Sequence, residues 1–292
     1  MTRGQALRLA GSSGLALVAA LSGLPGSAFA GGTPGTNELT ASFESQALRS
    51  RLHFAVYLPA SYAGGSGRYP VVYFLHGLPA NPASYLQLKW VSDALATTGR
   101  EAIIVTPQGT RVTGGDPEYH DWGPGDNWET ALARDLPAWM DANYRTVADR
   151  RGRAIVGYSA GGYGASIIGL HHPEKFSVIQ SWSGYFHPTD PTGRETLSVG
   201  SAAENAKANV EDLVPGLAKQ FARSPTKFSF YVGTSDPTFV PANTSLQRSL
   251  TAAGIEHLFR LYPGGHTTAL WKTHAPAWLG LAVDSLTGAP AV

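Results

Sequence analysis

The 292-residue chain contains no cysteine and only two methionines. Without thiols, disulfides, thiolate nucleophiles and cysteine metal sites are all excluded. Charge is also scarce. Charged residues make up 15% of the chain, against about 25% in average soluble domains. The 22 Lys+Arg nearly cancel the 21 Asp+Glu, so there is no electrostatic reason to expect nucleic acid or an anionic membrane as partner. No internal repeat is visible. The apolar run from Leu15 to Leu24 is about ten residues, where a membrane-spanning helix needs roughly twenty.

That short run has a different meaning in its context. Arg3 and Arg8 precede it, and "SAFA" follows it with Ala28 and Ala30 in an A-x-A pattern. The combination predicts a signal peptide over residues 1–30, cleaved after Ala30, and a secreted, extracellular product with no stable membrane insertion. Cleavage would leave 20 Lys+Arg against 21 Asp+Glu, a net charge of −1. "GGTPGTN" (31–37) reads as a flexible lead and residues 287–292 as a tail.

Between them, short apolar runs alternate with helical patterns. "ELTASFES", "RLHFAVYLP", "PVVYFLH", "EAIIVTP", "RAIVGY", "FSVIQSW", "KFSFYVG" and "HLFRLYP" are the strand candidates. Several are continuously apolar, as strands covered on both faces tend to be. The clearest helix spans about 128–144, with Asn127 as its expected cap and Pro137 expected to kink it. The alternation predicts an α/β domain over 38–286, with a mostly parallel sheet and helices on both faces. The first two strands should form an antiparallel edge. The stretch 186–225 reads as a small lid over one end of the sheet.

Chemistry enters at Gly157-Tyr158-Ser159-Ala160-Gly161. This G-x-S-x-G lies between a strand run and a helical run, the setting in which a sharp turn holds a serine hydroxyl out at its tip. A serine needs a base to take its proton and an acid to orient that base. Of the late histidines, His257 opens a strand and His274 falls in the terminal helix. His266 lies on a loop just past a strand and is the candidate base. Asp236, immediately beyond "KFSFYVG", is the candidate acid, with helix capping as its alternative role. Catalytic groups in open α/β sheets gather at the carboxyl ends of strands, which would bring Ser159, Asp236 and His266 to one rim.

The tetrahedral oxyanion needs two amide donors. The residue after the nucleophile, Ala160, supplies one, and the loop after an early strand supplies the other. In "VVYFLHGLPAN" that second donor is assigned to Leu78, with Gly77 permitting close backbone approach. His76 is expected to hold this loop structurally. His120, His171 and His172 lack the spacing of metal ligands, so neither a metal nor a cofactor is predicted.

Taken together, "PVVYFLHGLPAN", "DNWETALARDLPAWMDANYR", "RRGRAIVGYSAGGYGAS", "HHPEKFSVIQSWSG", "VGTSDP" and "GGHTTALWKTHAP" resemble the esterase D-like family of α/β hydrolases from about Pro70 to Trp278. That family includes carboxylesterases, feruloyl esterases, S-formylglutathione hydrolase and mycolyltransferases. The resemblance implies the α/β-hydrolase fold, matches Ser159, Asp236 and His266 to the family's triad, and matches Leu78 and Ala160 to its oxyanion amides. It also places Trp122 near the substrate pocket, whose shape is expected to depend on Trp122, Tyr158 and Tyr185. The mycolyltransferases usually have an acidic residue and an arginine where this chain has His76 and Pro79, and usually a glutamate at the triad acid.

The expected activity is that of a serine carboxylesterase acting on small-molecule, carbohydrate or lipid esters. Two alternatives stay open: an acyltransferase, in which an alcohol replaces water, and a non-catalytic binding module on a hydrolase scaffold.

Overall fold

The computed structural model describes residues 28–30, 37–116, 118–190 and 195–287. The expected signal peptide falls mostly outside them, as do the flexible lead up to residue 36 and the tail from 288 onward. The strands are β1 (Ala28–Ala30), β2 (Glu38–Ser45), β3 (Ser50–Tyr57), β4 (Val71–Leu75), β5 (Ile103–Pro107), β6 (Arg153–Tyr158), β7 (Val178–Trp182), β8 (Lys227–Gly233) and β9 (His257–Tyr262). Eight of them are the eight apolar runs read from the sequence. They form one sheet in the order β1-β2-β3-β5-β4-β6-β7-β8-β9. Pairing is antiparallel from β1 through β3 to β5 and parallel from β5 to β9.

Helices cover both faces, and the strands divide their side chains between two cores with a period of two. Val71, Tyr73 and Leu75 of β4 join one core, while Val72 and Phe74 join the other. On the second side lie α1 (Lys89–Ala96) and α8 (Thr268–Asp284). On the first side lie α2 (Trp128–Thr130), α3 (Leu136–Asn143), α4 (Ala160–His171), α6 (Val210–Arg223) and α7 (Val240–Ala252). Burial of β4 to β7 on both faces accounts for their mainly apolar runs, and the polar exceptions Thr106, Arg153, Gln180 and Ser181 are buried with them.

Two expectations need correction. The helix expected over 128–144 is divided: α2 and α3 are joined by a π turn, Ala131–Asp135, directly before Pro137. Proline cannot donate to the preceding turn and crowds its carbonyl, and the wider turn absorbs both effects. Asn127 is not the side-chain cap, because its amide oxygen accepts from Gly123 N–H instead. The capping acceptor is Asp121, whose carboxylate takes the Thr130 N–H at 2.9 Å and the Thr130 hydroxyl.

The stretch expected as a lid also divides. Residues 185–190 reach the rim of the sheet. By contrast, α6 is an ordinary core helix, with Val210, Val214 and Leu217 buried in the first core beside Phe228 and Leu246, and the short α5 (Ala202–Ala208) precedes it, closed by a Ser201–Glu204 capping box.

Candidate active site

The chain leaves β4 for β5 on one side and returns past it to β6 on the other. The carboxyl ends of β4 and β6 therefore flank the switch point of the sheet, where crevices form in open α/β folds. Gly77 and Leu78 follow β4 and Ser159 follows β6. Asp236 and His266 follow β8 and β9 on the same rim.

Ser159 sits between β6 and α4 with φ 55° and ψ −126°, a conformation that costs a non-glycine residue energy and persists only where surrounding structure enforces it. The flanking glycines are what make that enforcement possible. A Cβ at Gly157 would lie 2.2 Å from the Gly161 carbonyl oxygen, and one at Gly161 would lie 2.3 Å from the Leu75 oxygen. The elbow closes only with no side chain at either position.

Ser159 Oγ is 2.8 Å from His266 Nε2, and His266 Nδ1 is 2.7 Å from Asp236 Oδ2. A carboxylate oxygen can only accept, so Nδ1 carries the hydrogen and Nε2 presents a lone pair to the serine hydroxyl. Asp236 is 2% exposed, and its Oδ1 accepts the Phe239 N–H at 3.1 Å. That bond holds the turn before α7, whose first helical turn has no side-chain cap, so Asp236 is not a helix cap. The His266 ring is held between Phe239, at a centroid distance of 4.9 Å, and the edge-on Trp271 at 5.1 Å.

The loop after β4 lies against the serine: a Cβ at Gly77 would be 2.8 Å from Ser159 Cβ. Leu78 lines the same cleft as Ser159, and Ala160 opens α4, where first-turn amides have no partner within the helix. His76 fixes the loop from behind. Its Nε2 accepts the Gly109 N–H at 3.0 Å, so its Nδ1 donates to Gly77 O at 3.0 Å. Burial lowers its pKa, and it stays a neutral strut.

The cleft has a volume of about 480 Å³ and runs from Leu78, Pro79 and Ala80 past Ser159 and His266 to Tyr185, Thr189 and Thr238. Of the three residues expected to shape the pocket, only Tyr185 lines it. Tyr158 lies beneath the Gly77 loop and stacks on Trp271 at 4.3 Å. It points this way because the strand's alternation turns its side chain to the second core, where it does not line the cleft. Trp122 lines a neighbouring depression with Arg111, Val112 and Asp126, 39% exposed and edge-on to His120. The backbone bond from its N–H to Asp126 O closes the turn that carries it.

The sequence reading missed Glu118. This residue is fully buried, has φ 51°, and accepts from the Tyr185 hydroxyl and the Thr189 N–H, each at 2.9 Å. Burial, reinforced by the nearby Asp116 carboxylate, pushes its pKa up to about 8, and burial, partly offset by the Glu118 N–H that Asp116 accepts, moves Asp116 to about 6. Nothing in "GGDPEYHDW" separates a buried acid from a solvated one. Among the described residues no group of three or more His, Cys, Asp or Glu side chains is arranged to hold a metal ion, and no helix is long and apolar enough to cross a membrane.

This geometry can be set beside known proteins. Residues 45–279 match the family model Esterase, described as "Putative esterase". Esterase Rv1288 of Mycobacterium tuberculosis (strain ATCC 25618 / H37Rv) is 24% identical over 249 residues, covering 77% of this chain and 54% of its own length. The chain thus spans about half the length of the curated relatives it matches. Among solved structures, a ferulic acid esterase superposes with a TM-score of 0.68 at 26% identity, covering 85% of this chain and 98% of its own. An S-formylglutathione hydrolase from Agrobacterium tumefaciens superposes at 0.70 with 20% identity, covering 87% and 98%. By fold the chain is an α/β hydrolase, and by the family model that covers most of its length it belongs to the esterase family.

Proposed function

We propose that this chain is a secreted serine carboxylesterase with Ser159, His266 and Asp236 as its triad. The observation that carries the reading is the continuous path of two short hydrogen bonds from a strained serine to a buried carboxylate. Ser159 Oγ attacks the ester carbonyl as its proton passes to His266 Nε2. The Leu78 and Ala160 amides stabilise the oxyanion. The imidazolium, held by Asp236, protonates the departing alcohol and leaves an acyl-serine. Water, deprotonated by the same imidazole, then releases the acid. The relatives named as esterases support this reaction class. Residues 1–30, with their basic start, short apolar run and A-x-A end, support export.

Purified enzyme should hydrolyse a chromogenic short-chain ester, and Ser159→Ala should not. Wild-type rates in that variant would refute the proposal. A second reading is favoured by Thr238, a polar residue that lines the open cleft and suits an acceptor alcohol. Adding alcohols and finding new esters by mass spectrometry would identify acyl transfer; free acid alone would identify hydrolysis.

A further inference from the structure

One wall of the cleft, residues 185–190, is joined to the loop after β5 through the buried carboxyl group of Glu118. Glu118 Oε2 meets the Tyr185 hydroxyl and Oε1 takes the Thr189 N–H, each at 2.9 Å, with the Thr189 hydroxyl at 3.5 Å. Both tethered residues line the cleft. The tether also extends toward the base. Tyr185 stacks on Tyr163 of α4 at 5.2 Å and packs on Phe239 at 5.3 Å, and Phe239 packs on His266 at 4.9 Å. Phe239 N–H is in turn bonded to Asp236.

The surroundings of Glu118 are hostile to charge. Among the described residues, the titratable groups that act with it are Asp116 on its own loop, the adjacent Tyr119, Tyr163 of α4 and Tyr185 of the wall, with His120 one hydrogen bond further on Tyr163. None of the first four is a cation, and Asp116 Oδ2 is itself buried without a hydrogen-bond partner among the described residues. A proton on Oε2 satisfies the site. It leaves Oε1 as the acceptor that Thr189 N–H requires, and a hydroxyl to meet that of Tyr185.

We propose that Glu118 is a positioning residue, a neutral carboxylic acid that braces the 185–190 wall and so sets how the cleft holds its ligand. That the ligand is an ester rests on the function proposed above; the brace itself does not. Because burial and Asp116 keep the proton on to about pH 8, the acid is uncharged at neutrality and gains its charge as pH rises through that value. An anion in this pocket is relieved by admitting water beside Tyr185 and Thr189, which loosens the wall.

Glu118→Gln separates the brace from simple packing, since an amide offers the same acceptor and donor but cannot ionise. Hydrogen exchange of the Thr189 amide, corrected for the intrinsic rate, is to be followed from about pH 6.5 to 9.5. Wild type should lose protection by roughly tenfold or more above pH 8, and Glu118→Gln should stay flat. Matching profiles in the two proteins overturn the proposal. With a chromogenic ester, KM of wild type should rise over the same interval while that of the Gln variant does not, with kcat of the two moving in parallel. Equal KM profiles also overturn it. If wild type hydrolyses no ester at any pH, the esterase reading fails and the exchange comparison still decides the brace. Glu118→Ala should lack protection at every pH; should it fail to fold, the wild type and Gln pair suffice.

Discussion

Two histidines lie close to Ser159, and the same side chain serves opposite ends. His76 is 3% exposed and spends both ring nitrogens on backbone partners, the Gly77 carbonyl and the Gly109 N–H. His266 has a side chain 30% exposed, and its nitrogens meet a carboxylate on one side and a hydroxyl on the other. Burial discourages charge on the first. The second has a buried anion waiting for any positive charge it acquires. A histidine is thus fitted for proton transfer by what its nitrogens face and how open it is, and proximity to a serine is not enough.

The contrast breaks most sharply at the His266 side. Removing the hydroxyl or the imidazole, by Ser159→Ala or His266→Ala, should lower kcat for a chromogenic ester by at least about 10⁴-fold. Asp236→Asn should keep the fold but favour the wrong tautomer, with kcat reduced roughly 10³- to 10⁴-fold. Gly77→Ala tests the backbone that His76 holds. The new Cβ would lie 2.8 Å from Ser159 Cβ and 2.9 Å from the Tyr158 ring, so the Leu78 amide must shift and kcat should fall about 10²- to 10³-fold. His76→Leu should be milder, costing about 1–3 kcal/mol of stability by thermal or denaturant melts because Gly109 loses its acceptor. Its rate should drop roughly tenfold, with the pH profile of kcat/KM unmoved because no proton is transferred through this residue. Trp122→Ala, outside the cleft, should change kcat/KM on short esters by less than about threefold.

Much of this was legible in the sequence because the relevant signals are local. Eight runs became strands because short apolar-rich stretches between turn signals suit a sheet, and the central ones are buried on both faces. Ser159 announced itself through two glycines that the elbow cannot do without. Asp236 and His266 were found from their place after strands, a rule that topology makes reliable. What escaped depended on contacts between distant segments. Tyr158 adjoins the nucleophile in sequence, yet strand alternation turns it away, and Trp122 lies past a turn whose direction no motif encodes. Glu118 becomes a buried acid only when residues 185–190 fold over it. Asp121 displaces Asn127 as the cap because the loop before α2 doubles back.

A fluorophosphonate probe tests the centre of this reading directly. Intact mass spectrometry should show one covalent adduct per chain, and peptide mapping should place it on Ser159. The His266→Ala protein should label far more slowly, while His76→Leu should still label. An unlabelled wild-type protein, or an adduct at another residue, would contradict the assignment of Ser159 as an activated nucleophile.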